Sequence, residues 1–185
     1  MNLMGTIPHD LFIKVTRLTE LVLSDNSFTG QIPTSVGQLK DLHGFFLSEN
    51  KFSGSLPRQI GLMDDLTVLE LQGNNIHGSI PNLISNIDDL EHLGVGRNQL
   101  TGTIPPEIGS LHRLKTLFLE ENQFEGSIPT EIGKIQTLKK ARLYHNNFGG
   151  SIPKEVCELT VDEELVYLGA DCSEKIQCEC CTKCF

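Results

Sequence analysis

The chain has 185 residues, a formal net charge of −9, 38% hydrophobic and 21% charged residues, and no Trp. This balance excludes a disordered acidic tail, and no apolar run approaches the roughly 18 residues of a membrane-spanning helix. Acidity is concentrated at the end, where residues 155–185 hold eight acidic and two basic side chains. The chain therefore offers neither the basic stripe that nucleic acid requires nor a polybasic grip on anionic lipid.

The opening residues, MNLMGTIP, lack the basic start and apolar stretch of a secretory signal. Leu3, Gly5 and Pro8 instead stand where Phe28, Gly30 and Pro33 stand further on. Residues 1–17 thus read as a truncated first repeat that begins in mid-coil, and HDLFIKVTR has one residue more than its counterparts, which a convex loop would absorb. Such a start leaves the apolar edge of Leu21 and Leu23 uncovered and a sheet edge unpaired. The expectation is a segment of a longer protein.

From residue 18 a period of 24 sets in. Leucine recurs at Leu18, Leu42, Leu66, Leu90, Leu114 and Leu138, Asn at Asn26, Asn50, Asn74, Asn98, Asn122 and Asn146, and Gly and Pro follow at Gly30 to Gly150 and Pro33 to Pro153. Alternation in x-L-x-L-x predicts a short strand with Leu21 and Leu23 inward and Glu20, Val22 and Ser24 toward solvent. The repeated Asn stands where the chain leaves the strand, and its amide can satisfy backbone groups of its own turn and of the neighbouring coil, so the six would form a structural ladder. The fixed Gly suits a positive φ or a close approach, and Pro after Ile fixes φ and ends hydrogen bonding on that edge. The convex segment, such as PTSVGQLKD, is too short and Gly-interrupted for more than a turn or two of helix.

The unit L-x-x-L-x-L-x-x-N-x-F-x-G-x-I-P-x-x-I-G-x-L-x-x resembles the leucine-rich repeat, and its G-x-I-P segment resembles the plant-type class. The resemblance covers residues 1–161. It implies an α/β leucine-rich repeat solenoid, a right-handed superhelix with a concave parallel sheet and short convex 3-10 or helical turns, with six repeats over residues 18–161. Each coil leans on its neighbours, and the ends need caps.

Residues 162–185 read as a last strand and a cysteine-rich cap: Asp162 replaces the first Leu and Ala170 the Asn, while Leu165 and Tyr167 keep the strand register. All six cysteines (Cys157, Cys172, Cys178, Cys180, Cys181, Cys184) lie in the last 29 residues. This ending resembles the C-terminal cysteine cap of extracellular leucine-rich repeat proteins, including receptor-like ones of plants and diatoms. An even count at the end of a short tail suits disulfides in an oxidising compartment, with connectivity left open. The alternative is a zinc site from Cys178, Cys180, Cys181 and Cys184, for which adjacent Cys180 and Cys181 converge poorly on one tetrahedral ion.

The six His occupy unrelated repeat positions, and no nucleophile elbow, phosphate loop or zinc-protease motif is present. Neither catalysis, a cofactor nor a bound metal is expected. The variable strand positions remain. One column runs Val22, Phe46, Glu70, Gly94, Phe118, Arg142, the next Ser24, Ser48, Gln72, Gly96, Glu120, Tyr144, and the outer one Asp25, Glu49, Gly73, Arg97, Glu121, His145. Phe46, Phe118 and Tyr144 would be aromatic anchors. Gly94 and Gly96 would leave a dip between Phe46 and Phe118, rimmed by Glu70, Gln72, His92, Arg97 and Glu120, with Arg142 on the basic side of a divided charge pattern. By resemblance, the function is recognition of a protein, peptide or glycan by an extracellular or cell-surface module; inhibition of secreted cell-wall hydrolases and a structural wall spacer are the alternatives.

Overall fold

A computed structural model describes residues 2–161, 164–172 and 176–185. The inward leucines fold into the three-residue strands Glu20–Val22, Gly44–Phe46, Val68–Glu70, His92–Gly94, Thr116–Phe118 and Lys140–Arg142. With Tyr167–Ala170 and Lys183–Cys184 they build one eight-stranded parallel sheet. Its register is one coil per strand, so Leu21, Phe45, Leu69, Leu93, Leu117 and Ala141 form a continuous inward row. From Phe45 onward this row is buried with Leu47, Leu71, Val95, Leu119 and Leu143 beside it, whereas Leu21 and Leu23 at the open end are only partly covered.

At the end of each strand the chain turns through a left-handed residue: Asp25, Glu49, Arg97, Glu121 and His145 have φ between 53° and 57°, and Gly73 has φ 66°. The next residue is the repeated Asn. Its Oδ1 accepts from a backbone N–H one coil back, at Leu3, Phe28, Phe52, Ile76, Leu100 and Phe124 in turn. From Asn50 onward its Nδ2 also donates to a carbonyl of the preceding coil, at Leu23, Leu47, Leu71, Val95 and Leu119. Each amide thereby satisfies donors and acceptors that the sharp turn would otherwise bury unpaired.

Beyond the Asn, where the sequence suggests only a turn, the structure has a second parallel sheet. Seven strands contribute: Met4–Gly5, Ser27–Gln31, Lys51–Ser55, Asn75–Gly78, Gln99–Gly102, Gln123–Gly126 and Asn147–Phe148. The periodic glycines take φ of 76° to 79° from Gly30 to Gly126, bending these strands where a side chain would be strained. Phe28 stacks on Phe52 and Phe124 on Phe148, at 6.0 and 6.1 Å. The prolines then cap the convex 3-10 turns Thr34–Gln38, Arg58–Leu62, Asn82–Asn86, Pro106–Ser110 and Thr130–Lys134.

In the first coil, the helix Leu11–Lys14 replaces a 3-10 turn and buries Phe12 edge-on to Phe45 at 6.4 Å. At the other end, the eight-residue helix Lys154–Val161 is longer than the five-residue turns before it. Ala141 consequently pairs with Leu168 rather than Leu165. The expectation that Leu165 and Tyr167 keep the strand register is corrected: Leu168 and Ala170 are the inward pair, Leu165 is buried ahead of the strand, and Tyr167 faces the concave side. Asp162 lies outside the described residues. The Asp171 carboxylate closes the last coil, accepting from the backbone N–H of His145 (2.8 Å) and of Asn146 (3.1 Å), a role that carbonyls of the next coil fill elsewhere. Disulfides Cys157–Cys180, Cys172–Cys184 and Cys178–Cys181 staple the cap, taking up all four thiols of the zinc alternative.

Candidate ligand-binding face

The concave sheet holds the variable columns on a rigid floor, with neighbouring strands about 4.8 Å apart. The glycines of this face do not leave a dip. Gly94 and Gly96 are buried beneath side chains. A Cβ on Gly94 would lie 2.7 Å from the Glu70 carboxylate, 2.8 Å from the Gln72 amide and 2.9 Å from the His92 ring; one on Gly96 would lie 2.8 Å from the carboxyl carbon of Glu120. The predicted rim residues have folded inward over the space that the missing side chains leave.

Glu70 organises the first half of this filling. Its carboxylate accepts from Gln72 Nε2 at 2.9 Å and from Ser48 Oγ at 3.4 Å, and it pairs with His92 Nε2. His92 Nδ1 contacts the Thr116 hydroxyl, and the ring meets Phe118 edge-on at 5.3 Å. Phe118 carries the Arg142 guanidinium 4.2 Å above its ring, a cation–π contact. Arg142 Nη1 in turn reaches Glu120 Oε1 at 3.4 Å.

Glu120 is the anomaly of the face. It stands in a solvent-facing column yet is 3% exposed, and its Oε2 has no partner among the described residues. Burial pushes its carboxyl above the ordinary glutamate range, against the opposing pull of its backbone hydrogen bond and of Arg142. Burial, together with the Glu120 charge, likewise raises the Tyr144 phenol.

Seven of the sequence-predicted residues thus share one cluster: Glu70, Gln72, His92, Phe118, Glu120 and Arg142 in contact, with Tyr144 beside Glu120. Two others stand apart. Phe46 lies back over Gly44 of its own strand, and Arg97 reaches across Gly73 to the Glu49 carboxylate at 2.9 Å. The structure also adds residues that the columns do not single out. Tyr144 stacks on Phe185 at 3.7 Å, Lys183 sits 4.6 Å from the Phe185 ring, and Tyr167 and Phe185 meet above Gly169. Gly169 was the available signal, a further glycine in the central column once the longer last coil is allowed for.

The repeat architecture agrees with the comparisons to known proteins. A family model described as "Leucine rich repeat" matches residues 16–76, and a second, "Leucine Rich Repeat", matches residues 89–111 and 113–135. A solved structure of the BIR3–SERK2 complex from Arabidopsis thaliana is 34% identical, with a TM-score of 0.64 over 72% of this chain and 71% of that one. The chain belongs to the leucine-rich repeat family. The Arabidopsis receptor kinase HAESA, solved with the peptide hormone IDA and the co-receptor SERK1, is 35% identical to this leucine-rich repeat chain, with a TM-score of 0.84 over 92% of this chain and 28% of that one. A plant ice-binding protein is 29% identical, with a TM-score of 0.76 over 88% of this chain and 51% of that one. The chain thus spans little more than a quarter of the HAESA chain. No curated protein matches it in sequence. Among the described residues, no helix is long and apolar enough to cross a membrane.

Proposed function

We propose that this leucine-rich repeat chain is a non-catalytic recognition module, part of an extracellular or receptor-like protein, that binds a peptide or protein segment on its concave face. The observation that carries the reading is the Phe118-centred cluster. It places an aromatic ring, a guanidinium and two carboxylates on a sheet whose backbone is already paired, so a ligand meets pre-ordered side chains. Two further observations support it. HAESA, whose structure holds a peptide hormone, shares this coil at 35% identity, and three disulfides suit an oxidising compartment.

The test is an extracellular peptide and protein array probed with the chain and with a Phe46→Ala, Phe118→Ala double variant. Phe46 and Phe118 are both partly exposed and neither belongs to the buried core, so the variant keeps its fold. Binders lost by the variant place recognition on this face; binders retained at full affinity remove it.

A further inference from the structure

Glu120 and Arg142 form an ion pair that the fold does not need. The same column holds Ser24, Ser48, Gln72, Gly96 and Tyr144, so nothing in the coil requires a carboxylate there. The pair is also incomplete. Its one contact is long, at 3.4 Å, and it leaves Glu120 Oε2 buried without a partner among the described residues. A buried, half-satisfied carboxylate costs stability, and such groups persist where function uses them. Arg142, by contrast, is 39% exposed and rests on the partly exposed Phe118 ring, so it can swing toward solvent without disturbing the core.

We infer that Glu120 and Arg142 are a gate for a peptide segment that carries a basic and an acidic side chain close together. The inference rests on the concave face being the binding face. In the closed arrangement each charge occupies the other. On binding, the ligand's ammonium or guanidinium takes the Glu120 carboxylate, including Oε2, and settles over the Phe118 ring that Arg142 vacates. The released Arg142 pairs with the ligand's carboxylate. One long internal contact is exchanged for two intermolecular ion pairs, and no charge is left buried alone. A ligand with only a base leaves Arg142 in solvent without a new partner and so makes one ion pair instead of two, and a ligand with only an acid strands the buried Glu120, so the gate favours both charges together. The charges that face the gate agree. Glu70 is engaged by His92 and Gln72, and Glu49 by Arg97, which leaves Glu120 as the acceptor beside Phe118.

The experiment uses the disulfide-bonded chain and three peptides on one Gly/Ser frame, bearing one Arg, one Asp, or an Arg and an Asp two residues apart. Affinities come from calorimetry, and the site from shifts of the Phe46 and Phe118 ring resonances. The doubly charged peptide is expected to bind at least tenfold more tightly than either single-charge peptide. Glu120→Gln and Arg142→Gln should each abolish that advantage. Glu120→Gln preserves shape and should raise Tm at pH 7, which separates loss of the gate from loss of the fold. Equal affinity for all three peptides, with Phe118 still shifted, overturns the gate and leaves the concave reading standing. No shift at Phe46 or Phe118 with any peptide overturns both.

Discussion

Replacing Asn122 by alanine tests what holds the coils together. The amide makes four contacts: Oδ1 accepts from Leu100 N at 2.9 Å, and Nδ2 donates to Val95 O, Leu119 O and Glu120 O at 3.1 to 3.2 Å. These losses are not equal. Val95 O keeps Asn98 Nδ2, Leu119 O keeps Asn146 Nδ2, and Glu120 O keeps the Arg97 N–H. Only the Leu100 N–H is orphaned, inside a coil where Leu100 is fully buried. One stranded buried donor, at about 1–3 kcal/mol, together with the weakened acceptors gives an expected cost of about 2–4 kcal/mol. Asn26→Ala removes the same acceptor at the open end, where the donor, Leu3 N, is exposed and Nδ2 reaches only its own turn, and should cost about 1 kcal/mol or less. Urea unfolding of both variants at pH 7 measures the difference, and equal costs would refute the ladder as the source of stability. Asn122→Asp sharpens the test. It keeps an acceptor for Leu100 N but sets a second oxygen against three carbonyls, so the folded state favours the protonated acid and its pKa rises above the unfolded value. Stability is then retained below about pH 4 and lost as pH rises through the folded pKa.

Other outcomes follow from the same geometry. Gly61→Ala sets a Cβ 2.0 Å from the Leu83 backbone carbonyl oxygen; forcing two coils apart should cost about 3 kcal/mol. Gly149→Ala, with nothing within 4 Å, should stay within about 0.5 kcal/mol, both read by urea unfolding. Removing the Cys157–Cys180 bridge, which spans 23 residues, should cost about 3 kcal/mol, against about 1.5 kcal/mol for Cys178–Cys181, which spans 3, as measured on paired Cys→Ala variants. Glu120→Gln should be more stable than the parent at pH 7, and the gain should vanish near pH 4, because the raised folded pKa makes the carboxylate a liability only where it is ionised.

The sequence carries the coil because each coil repeats one local problem. The Leu, Asn, Gly and Pro positions recur every 24 residues, so strand, turn and cap are each stated several times over. The second sheet was hidden because each of its strands but the last carries a Gly and is followed by a Pro, which together suggest a turn, whereas stacking supplies the hydrogen bonds that one copy cannot. The last strand was misplaced because the helix Lys154–Val161 adds residues that no motif announces. On the concave face the positions were readable but their arrangement was not. Column order says that Gly94 lies between Glu70 and Phe118; it does not say that Glu70, Gln72 and His92 will collapse over it.

That collapse separates two kinds of glycine in one fold. At Gly61 the neighbour is backbone, and the missing Cβ is what lets one coil seat against the next. At Gly94 the neighbours, at 2.7 to 2.9 Å, are the ends of the flexible side chains Glu70, Gln72 and His92. Gly94→Ala should therefore cost less than about 1 kcal/mol, since those ends can swing away, yet it should shift the His92 and Phe118 ring resonances by breaking the polar cover. A stability loss as large as that of Gly61→Ala would mean that the concave cluster is part of the stacking core. A small loss with a rearranged cluster would mean that the coil and its binding face are separately adjustable. Such independence is what a scaffold needs if it is to appear both in a hormone-bound receptor kinase and in an ice-binding protein: the inward rows hold the coil, and the outward columns are free to change what they hold.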